Sequence, residues 1–418
     1  MIQRKAITKG QIISSLINTP QITFEITDKC NLKCEYCSYG QLYSDYDSRE
    51  NKDLDIDKAI RFLDYFVELW DLSSSNSINN SVYISFYGGE PLLNFSFIET
   101  VVNYINKIKD SKRKFIYSMT TNGILLDKYI DILVANDFSL LISLDGNEYC
   151  NSYRINKLGK NSFTHVVENI NKLKSKYPNY FANKVNFNTV LHNRNSVAEI
   201  YNFFHQTYDK VPSIGSLNDM GIRDDMKIKF IQMFQNVTES LMQSENYGEL
   251  ENQMFLLSPT YHSATVFLMQ NSPYKYENYN ELLFGKYKNE KIMPSGTCIP
   301  FSKKVFITVN GKILPCERIG HQFALGTIEK DYINLDFEEI TQKYNVYYSK
   351  ISPLCNKCYN AKTCIQCIFN IPEIEKSKCN CKGFMNNEMY ETYKNLQLSF
   401  FARHPEAYNK IMSEVIYK

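Results

Sequence analysis

Three cysteines, Cys30, Cys34 and Cys37, stand in the run Asp28-Lys-Cys-Asn-Leu-Lys-Cys-Glu-Tyr-Cys37 with the spacing C-x3-C-x2-C. Three thiolates this close in the chain suit an iron–sulfur cube better than a zinc ion. A cube takes one thiolate on each of four irons, so three leave one iron open to another ligand. A structural zinc wants a closed set of four, usually delivered as two C-x2-C pairs. The triplet therefore reads as a redox cluster with a vacant coordination site.

Eight of the other nine cysteines gather in the last third of the chain, at 298, 316, 355, 358, 364, 367, 379 and 381. Cys150 stands alone and reads as a small buried hydrophobe. Cys298 and Cys316 flank the run Val305–Pro315, whose Asn310-Gly311 pair predicts a two-residue type I′ hairpin. Cys355-x2-Cys358 and Cys364-x2-Cys367, taken alone, suit zinc as well as iron. The start of the chain, MIQRKAITKGQIISS, has no continuous apolar run, and nothing elsewhere approaches a membrane-spanning length. These features predict a cytoplasmic protein with no membrane partner, where clustered thiols mean metal or catalysis more often than disulfides. The formal charge of +2 over 418 residues, without a basic run, argues against a nucleic-acid partner.

Positioning such cysteines falls to a regular alternation between residues 21 and 216. Short β-branched runs at Ile22–Ile26, Val82–Tyr87, Phe115–Thr120, Ser139–Leu144, Val185–Leu191 and Val211–Ile214 alternate with helical stretches. The helices fall at Asp57–Trp70, Phe97–Ile108, Asp127–Asn136, Thr164–Tyr177 and Ser196–Tyr208, the first with Ile60, Leu63, Val67 and Trp70 on one face. Parallel strands need crossover connections, so six such units predict a parallel sheet with helices outside it. Six rather than eight suggests an open, partial barrel, although a flat doubly wound sheet has the same periodicity. Cys30 then leaves the C-terminal end of the first strand, the end where barrel active sites are built. The second strand runs into Tyr87-Gly-Gly-Glu-Pro-Leu92 at the same face, where two glycines permit close approach to backbone.

With both motifs in place, residues 20–216 resemble the radical S-adenosylmethionine (SAM) superfamily, which combines C-x3-C-x-aromatic-C with a GGE motif on a partial (β/α)6 TIM-like barrel. The resemblance implies a 4Fe–4S cluster on Cys30, Cys34 and Cys37, with SAM chelating the open iron. An external one-electron reductant, such as flavodoxin or ferredoxin, then splits SAM to give a 5′-deoxyadenosyl radical. Carried over position by position, Tyr36 stands near the adenine, and Gly88, Gly89 and Glu90 form the bed for the methionine amino group. The ribose and carboxylate contacts fall at Ser143 and Arg154, with Asn122 of Thr-Thr-Asn-Gly123 nearby. On residues alone, Ser143 is equally a core serine and Arg154 a surface charge.

The C-terminal pattern, C-x12-G-x4-C followed by C-x2-C-x5-C-x2-C-x11-C, resembles the SPASM extension of the same superfamily, a cysteine-rich α+β domain. That implies two auxiliary 4Fe–4S clusters, three clusters in all. Cys355, Cys358, Cys364 and Cys379 would hold the outer one, and Cys298, Cys316 and Cys367 the inner one. Cys381 either completes the inner set or replaces Cys379; otherwise the inner cluster stays open to substrate. The sequence departs from the family in placing two residues, not three, between Cys364 and Cys367, and in having no extra cysteine just before Cys298. Glu317, next to Cys316, stands where sulfatase-maturing relatives carry an aspartate and is the candidate catalytic base; paired with a cation, it would instead be structural.

These features give a linear order: an N-terminal extension at 1–20, the barrel at 21–216, a helical bridge at 217–294, the SPASM domain at 295–387 and a helical segment at 388–418. Within it, Met226–Met242 reads as helical, and Leu396, Phe400 and Phe401 are available to dock. The expected activity is maturation of a ribosomally synthesised precursor peptide by a thioether, carbon–carbon or ether crosslink. The alternatives are oxidation of a sulfatase residue to formylglycine and non-catalytic electron transfer. Only 29 residues precede Cys30, too few for a winged-helix leader-binding domain. Leader recognition would then fall to a separate protein, an exposed strand edge or the 217–290 segment.

Overall fold

The computed structural model describes residues 6–72, 81–108, 113–271, 297–362, 364, 366–372, 374–375 and 380–416. They divide between two compact units, one of Gly10–Ser244 with Ile299–Phe337, the other of Met1–Lys9, Glu245–Cys298 and Glu338–Lys418.

In the first unit, α1 (Lys9–Ile17) leads into six parallel strands, each beside its predecessor: β1 (Gln21–Thr27), β2 (Ser81–Gly88), β3 (Lys114–Thr121), β4 (Ser139–Ser143), β5 (Val185–Leu191) and β6 (Ser213–Ser216). The crossovers are α2 (Ile56–Leu72), α3 (Phe95–Lys107), α4 (Leu126–Ala135), α5 (Phe163–Lys176) with α6 (Pro178–Lys184), and α7 (Val197–Tyr208). The last strand begins two residues later than its β-branched run suggests, just past Pro212, which has no N–H to give a ladder. On α2 the buried face is Ala59, Phe62, Leu63, Phe66 and Trp70, so two aromatics outside the expected stripe join the core. Ser196 caps α7 by accepting from Glu199 N, while its hydroxyl donates to the Glu199 carboxylate.

Strand alternation separates two chemically different faces. Phe24, Phe86 and Phe187 point outward, against Phe97 of α3, Phe138 after α4 and Phe204 of α7. On the other face Thr23, Ser85, Ser118 and Ser139 form one register row, and Ser143, Asn188 and Ser213 another. A flat sheet covered by helices on both sides would be apolar on both. Hydroxyl and amide side chains on one face mark it as the inside of a partial barrel, with β6 as one open edge.

The sheet does not stop at β1. Strand β7 (Val305–Ile307) pairs parallel to it, Ile22 opposite Val305 and Phe24 opposite Ile307, and β8 (Lys312–Leu314), β9 (Gly326–Ile328) and β10 (Ile333–Asn334) continue antiparallel. The expected type I′ turn between β7 and β8 is not what forms. Of the pair only Gly311 has positive φ (80°); Thr308 N donates to Lys312 O and Gly311 N to Thr308 O. That is a three-residue connection, with Gly311 supplying the left-handed position that Asn310 does not need to share.

The polar 217–244 stretch is helical in pieces, Lys227–Met233 and Val237–Met242, because Asn236 interrupts the run and caps the second helix through Thr238 N and Glu239 N. In the second unit the helix Asn387–Arg403 ends at His404, ahead of Pro405, and Pro405–Ile411 follows. Phe400 packs with Tyr261, Ala264, Ala407 and Ile411, and Phe401 joins them, whereas Leu396 is 59% exposed. Among the described residues no helix is long and apolar enough to cross a membrane.

Two glycines at the end of β2 mark the tightest crossing of the first unit. A Cβ at Gly88 would overlap the Thr27 carbonyl oxygen, and one at Gly89 the Lys29 carbonyl oxygen. Gly89→Ala is therefore expected to cost about 1–3 kcal/mol, the range of an overpacked interior. Chemical denaturation of the metal-free protein measures it, with Gly10→Ala, where a Cβ meets open space, as the neutral control.

Candidate active site

The loop after β1 that carries the three cysteines has almost no secondary structure and is held by its neighbours. Gly89 N donates to Thr27 O and Glu90 N to Lys29 O, so the end of β2 grips the loop at its start. From the β4 side, Lys33 N reaches Ile155 O and Glu35 N reaches Tyr153 O. From the exit of β6, Gly221 O accepts from Ser44 N and Asn218 O from the Tyr43 hydroxyl. Glu90 is fully buried, and its carboxylate accepts from Leu92 N, Thr121 Oγ1 and Asn122 N, which locks the ends of β2 and β3 together. Burial nonetheless raises its pKa to about 7.

Asn122 in turn donates to Asn31 Oδ1 at 2.7 Å and to Cys30 Sγ at 3.7 Å, and Leu32 N approaches the same sulfur at 3.4 Å. Burial pushes the Cys30 thiol up to about 11 and the Cys34 thiol to about 12. Both feel Cys37 and Cys34 feels Cys30, so the three sulfurs lie within electrostatic reach of one another. Iron binding would have to displace these thiol protons. Cys34 packs on a largely aromatic cluster that includes Tyr36, Tyr43, Tyr153, Leu217 and Phe230.

Arg154 is not a surface charge. It is 7% exposed, its guanidinium lies 5.4 Å from the Tyr36 ring centre, and Nη2 pairs with Asp145 Oδ1 at 2.9 Å. Its Nε is buried without a hydrogen-bond partner. Asp145 was not among the expected residues, nor was His192, whose Nε2 lies 3.6 Å from Asp145 Oδ2. The one available signal was the Asp-Gly step that ends Ile-Ser-Leu-Asp-Gly146. Burial alone would raise the Asp145 carboxyl, but the Arg154 charge and hydrogen bond, with His192 close by, hold it down at about 2. Ser143 closes β4 on the inner face, opposite Asn188. Tyr36, Glu90, Asn122, Ser143 and Arg154 thus stand at the C-terminal ends of consecutive strands with the cysteine loop, whereas Gly88 and Gly89 serve first to let backbones cross.

Glu317 is paired. Lys304 Nζ lies 3.0–3.1 Å from both its oxygens, and despite burial that charge lowers its pKa. Cys316 sits beside it in the barrel unit, its thiol raised to about 12 by burial. In the other unit Cys381 feels Cys364, Cys355 and Cys358, with Gln366 N on Cys364 Sγ and Met385 N on Cys358 Sγ, both at 3.4 Å. Cys367 feels Cys298. Cys379 lies outside the described residues. Cys150 is buried at 1% exposure, as expected of a small hydrophobe. Among the described residues no three Cys, His, Asp or Glu side chains converge as a single metal ion would require; a cube, which takes one thiolate per iron, does not demand that convergence.

Residues 24–206 match the Radical SAM superfamily. Over that stretch, a little under half of its length, the chain carries a radical SAM domain. It is 26% identical over 353 residues to the radical SAM cyclopropyl synthase TigE of Paramaledivibacter caminithermalis, covering 75% of this chain and 69% of TigE. Over 203 residues it is 29% identical to a cysteine-type anaerobic sulfatase-maturating enzyme of Clostridium novyi, covering 46% of this chain and half of that enzyme. The solved structure of native anSMEcpe with bound AdoMet and Cp18Cys peptide shares the fold, with a TM-score of 0.56, 18% identity and coverage of 94% of this chain and 99% of that one. The superfamily uses SAM and a 4Fe–4S cluster. The cysteine loop fits such a cluster here: its three half-buried thiols lie within electrostatic reach of one another, and N–H donors already point at Cys30. The unpartnered Arg154 Nε is a donor suited to the SAM carboxylate.

Inside the barrel, Glu25 on β1 is 2% exposed and accepts from Val309 N at 3.0 Å, and burial raises its pKa from 4.5 to about 7. The folded state therefore holds this proton more tightly than the unfolded chain does. Its contribution is full below about pH 4.5 and is lost as the pH rises through about 7. Glu25→Gln should flatten the fall in melting temperature of the metal-free protein between about pH 5 and pH 8. An unchanged slope would assign that titration to other groups.

Proposed function

We propose that the chain is a maturase of ribosomally made peptides, which removes a hydrogen atom from its peptide substrate so that a thioether, carbon–carbon or ether crosslink closes there. The observation that carries this reading is a half-buried cysteine loop at the mouth of a barrel whose inner rows, Thr23-Ser85-Ser118-Ser139 and Ser143-Asn188-Ser213, are uncharged hydroxyls and amides. Such rows offer donors and acceptors to peptide N–H and C=O groups and no cation to a phosphate. TigE, a cyclopropyl synthase, supports a carbon–carbon bond among the products considered.

When bound and reduced by an external donor such as flavodoxin or ferredoxin, the cluster and SAM supply the hydrogen-abstracting radical. Cys30, Cys34 and Cys37 hold the cluster, Asn122 donates to the Cys30 sulfur, and Tyr36 and Ser143 flank the nucleoside. Arg154 receives the carboxylate, and the loop at Gly88-Gly89-Glu90 fixes the floor of the site. Glu317, kept ionised by Lys304, takes a proton from the substrate. In the C-terminal part, Cys355, Cys358, Cys364 and Cys381 hold an auxiliary cluster, with Cys381 in the place first expected of Cys379. A precursor peptide is the partner in this reading, and its leader is met by this chain or by a separate protein.

The second reading, formylglycine formation on a sulfatase, is favoured by the fold shared with anSMEcpe over 94% of the chain. Anaerobic reconstitution should load about twelve irons per chain, four for each of three cubes. Cys381→Ala should then lose about four and Cys379→Ala none. With SAM and dithionite the loaded enzyme should release 5′-deoxyadenosine. Coexpression with a small peptide encoded beside the gene should yield a product lighter by two hydrogens per crosslink. An aldehyde on a sulfatase-derived peptide, with no crosslinked product, would replace the first reading by the second. Glu317→Gln should keep 5′-deoxyadenosine release while product falls about 10²-fold or more.

A further inference from the structure

Asp145 is the most heavily engaged side chain of the barrel rim. It has no exposed surface, and four of its atoms are tied. Its N–H meets Asn151 Oδ1 and its carbonyl accepts from Asn195 Nδ2, both at 3.2 Å. One carboxylate oxygen takes Arg154 Nη2 at 2.9 Å and Val190 N at 3.0 Å, and the other takes the Tyr36 hydroxyl. His192 Nδ1 accepts from Arg194 N at 3.1 Å, and its Nε2 lies 3.6 Å from Asp145 Oδ2. One carboxylate therefore joins the cysteine loop to the ends of β4 and β5.

The charges around it are equally specific. The Cys34 thiol is acted on by Arg154 and by Asp145 with opposite signs. Both charges are buried, so neither is well screened, and their opposite signs offset one another. An isolated guanidinium here would favour added negative charge on nearby sulfur and iron, and an isolated carboxylate would oppose it. The potential of an iron–sulfur cluster follows local net charge, hydrogen bonds to its sulfurs and exposure.

We propose that Asp145 is a positioning residue that fixes Tyr36 and Arg154 against the cysteine loop and, by cancelling the Arg154 charge beside Cys34, sets the reduction potential of the cluster held there. This rests on the reading of Cys30, Cys34 and Cys37 as cluster ligands.

The test is an EPR-monitored redox titration of the reconstituted full chain without SAM, following the cluster signal that a Cys34→Ala control lacks. Asp145→Asn should shift its midpoint in the positive direction. The double variant Asp145→Asn/Arg154→Met, neutral again, should return toward the wild type, and Tyr36→Phe, which keeps both charges, should stay close to it. An unmoved potential in Asp145→Asn, or a shift that persists in the double variant, overturns the proposal. If Asp145→Asn fails to fold or load iron, Arg154→Met decides at alkaline pH, where the carboxyl is ionised: its potential must fall, and an unchanged or raised value overturns the proposal. A wild-type chain that takes up no iron would instead remove the ligand assignment itself.

Discussion

A run of irregular backbone has to keep three sulfur atoms in one another's reach, and the loop after β1 has no ladder of its own with which to do so. The rim lends it one. Backbone carbonyls and amides of the β2, β4 and β6 exits close hydrogen bonds onto residues 27–44, while Glu90 and Asp145 sit behind them as buried acceptors. Removing either acceptor would strand several buried donors at once, and such groups cost far more unpaired than paired groups gain. The geometry of the cysteines is thus a property of the whole rim.

Electrostatics follow from the same burial. Glu25 and Glu90 are raised because burial outweighs what answers them, hydrogen-bond donors for both and the Arg49 charge for Glu25, whereas Asp145 and Glu317 are lowered because Arg154 and Lys304 pair with them. The barrel end therefore combines two acids that keep a proton near neutrality with two carboxylates that do not. Protonation states there are assigned by packing partners rather than by residue type.

Much of this was legible in the chain. Strand and helix order followed from alternation and amphipathicity, and the cysteine spacing with the GGE step marked one end of the sheet. What sequence could not display were partners distant along the chain. Arg154 read equally well as a surface charge until Asp145 and Tyr36 were seen to enclose it. The aromatic pair Phe62 and Phe66 fell outside the expected stripe because α2 buries a broader arc than one helical row. The turn at Asn310-Gly311 failed as a type I′ turn because the strand register, not the dipeptide, chose its length. Cys379 lies outside the described residues, and the approach of Cys355, Cys358 and Cys364 to Cys381 is a juxtaposition that spacing alone could not display.

The pairing of β1 with β7 has a consequence for biosynthesis. The first strand to leave the ribosome acquires one of its neighbours only after residue 305 has been made, so the edge of β1 waits through most of translation. Open strand edges are templates for unwanted association, and contacts this remote in sequence form slowly. Nascent chains stalled or cleaved before residue 305 would expose that edge, and their solubility would depend on whatever covers it meanwhile.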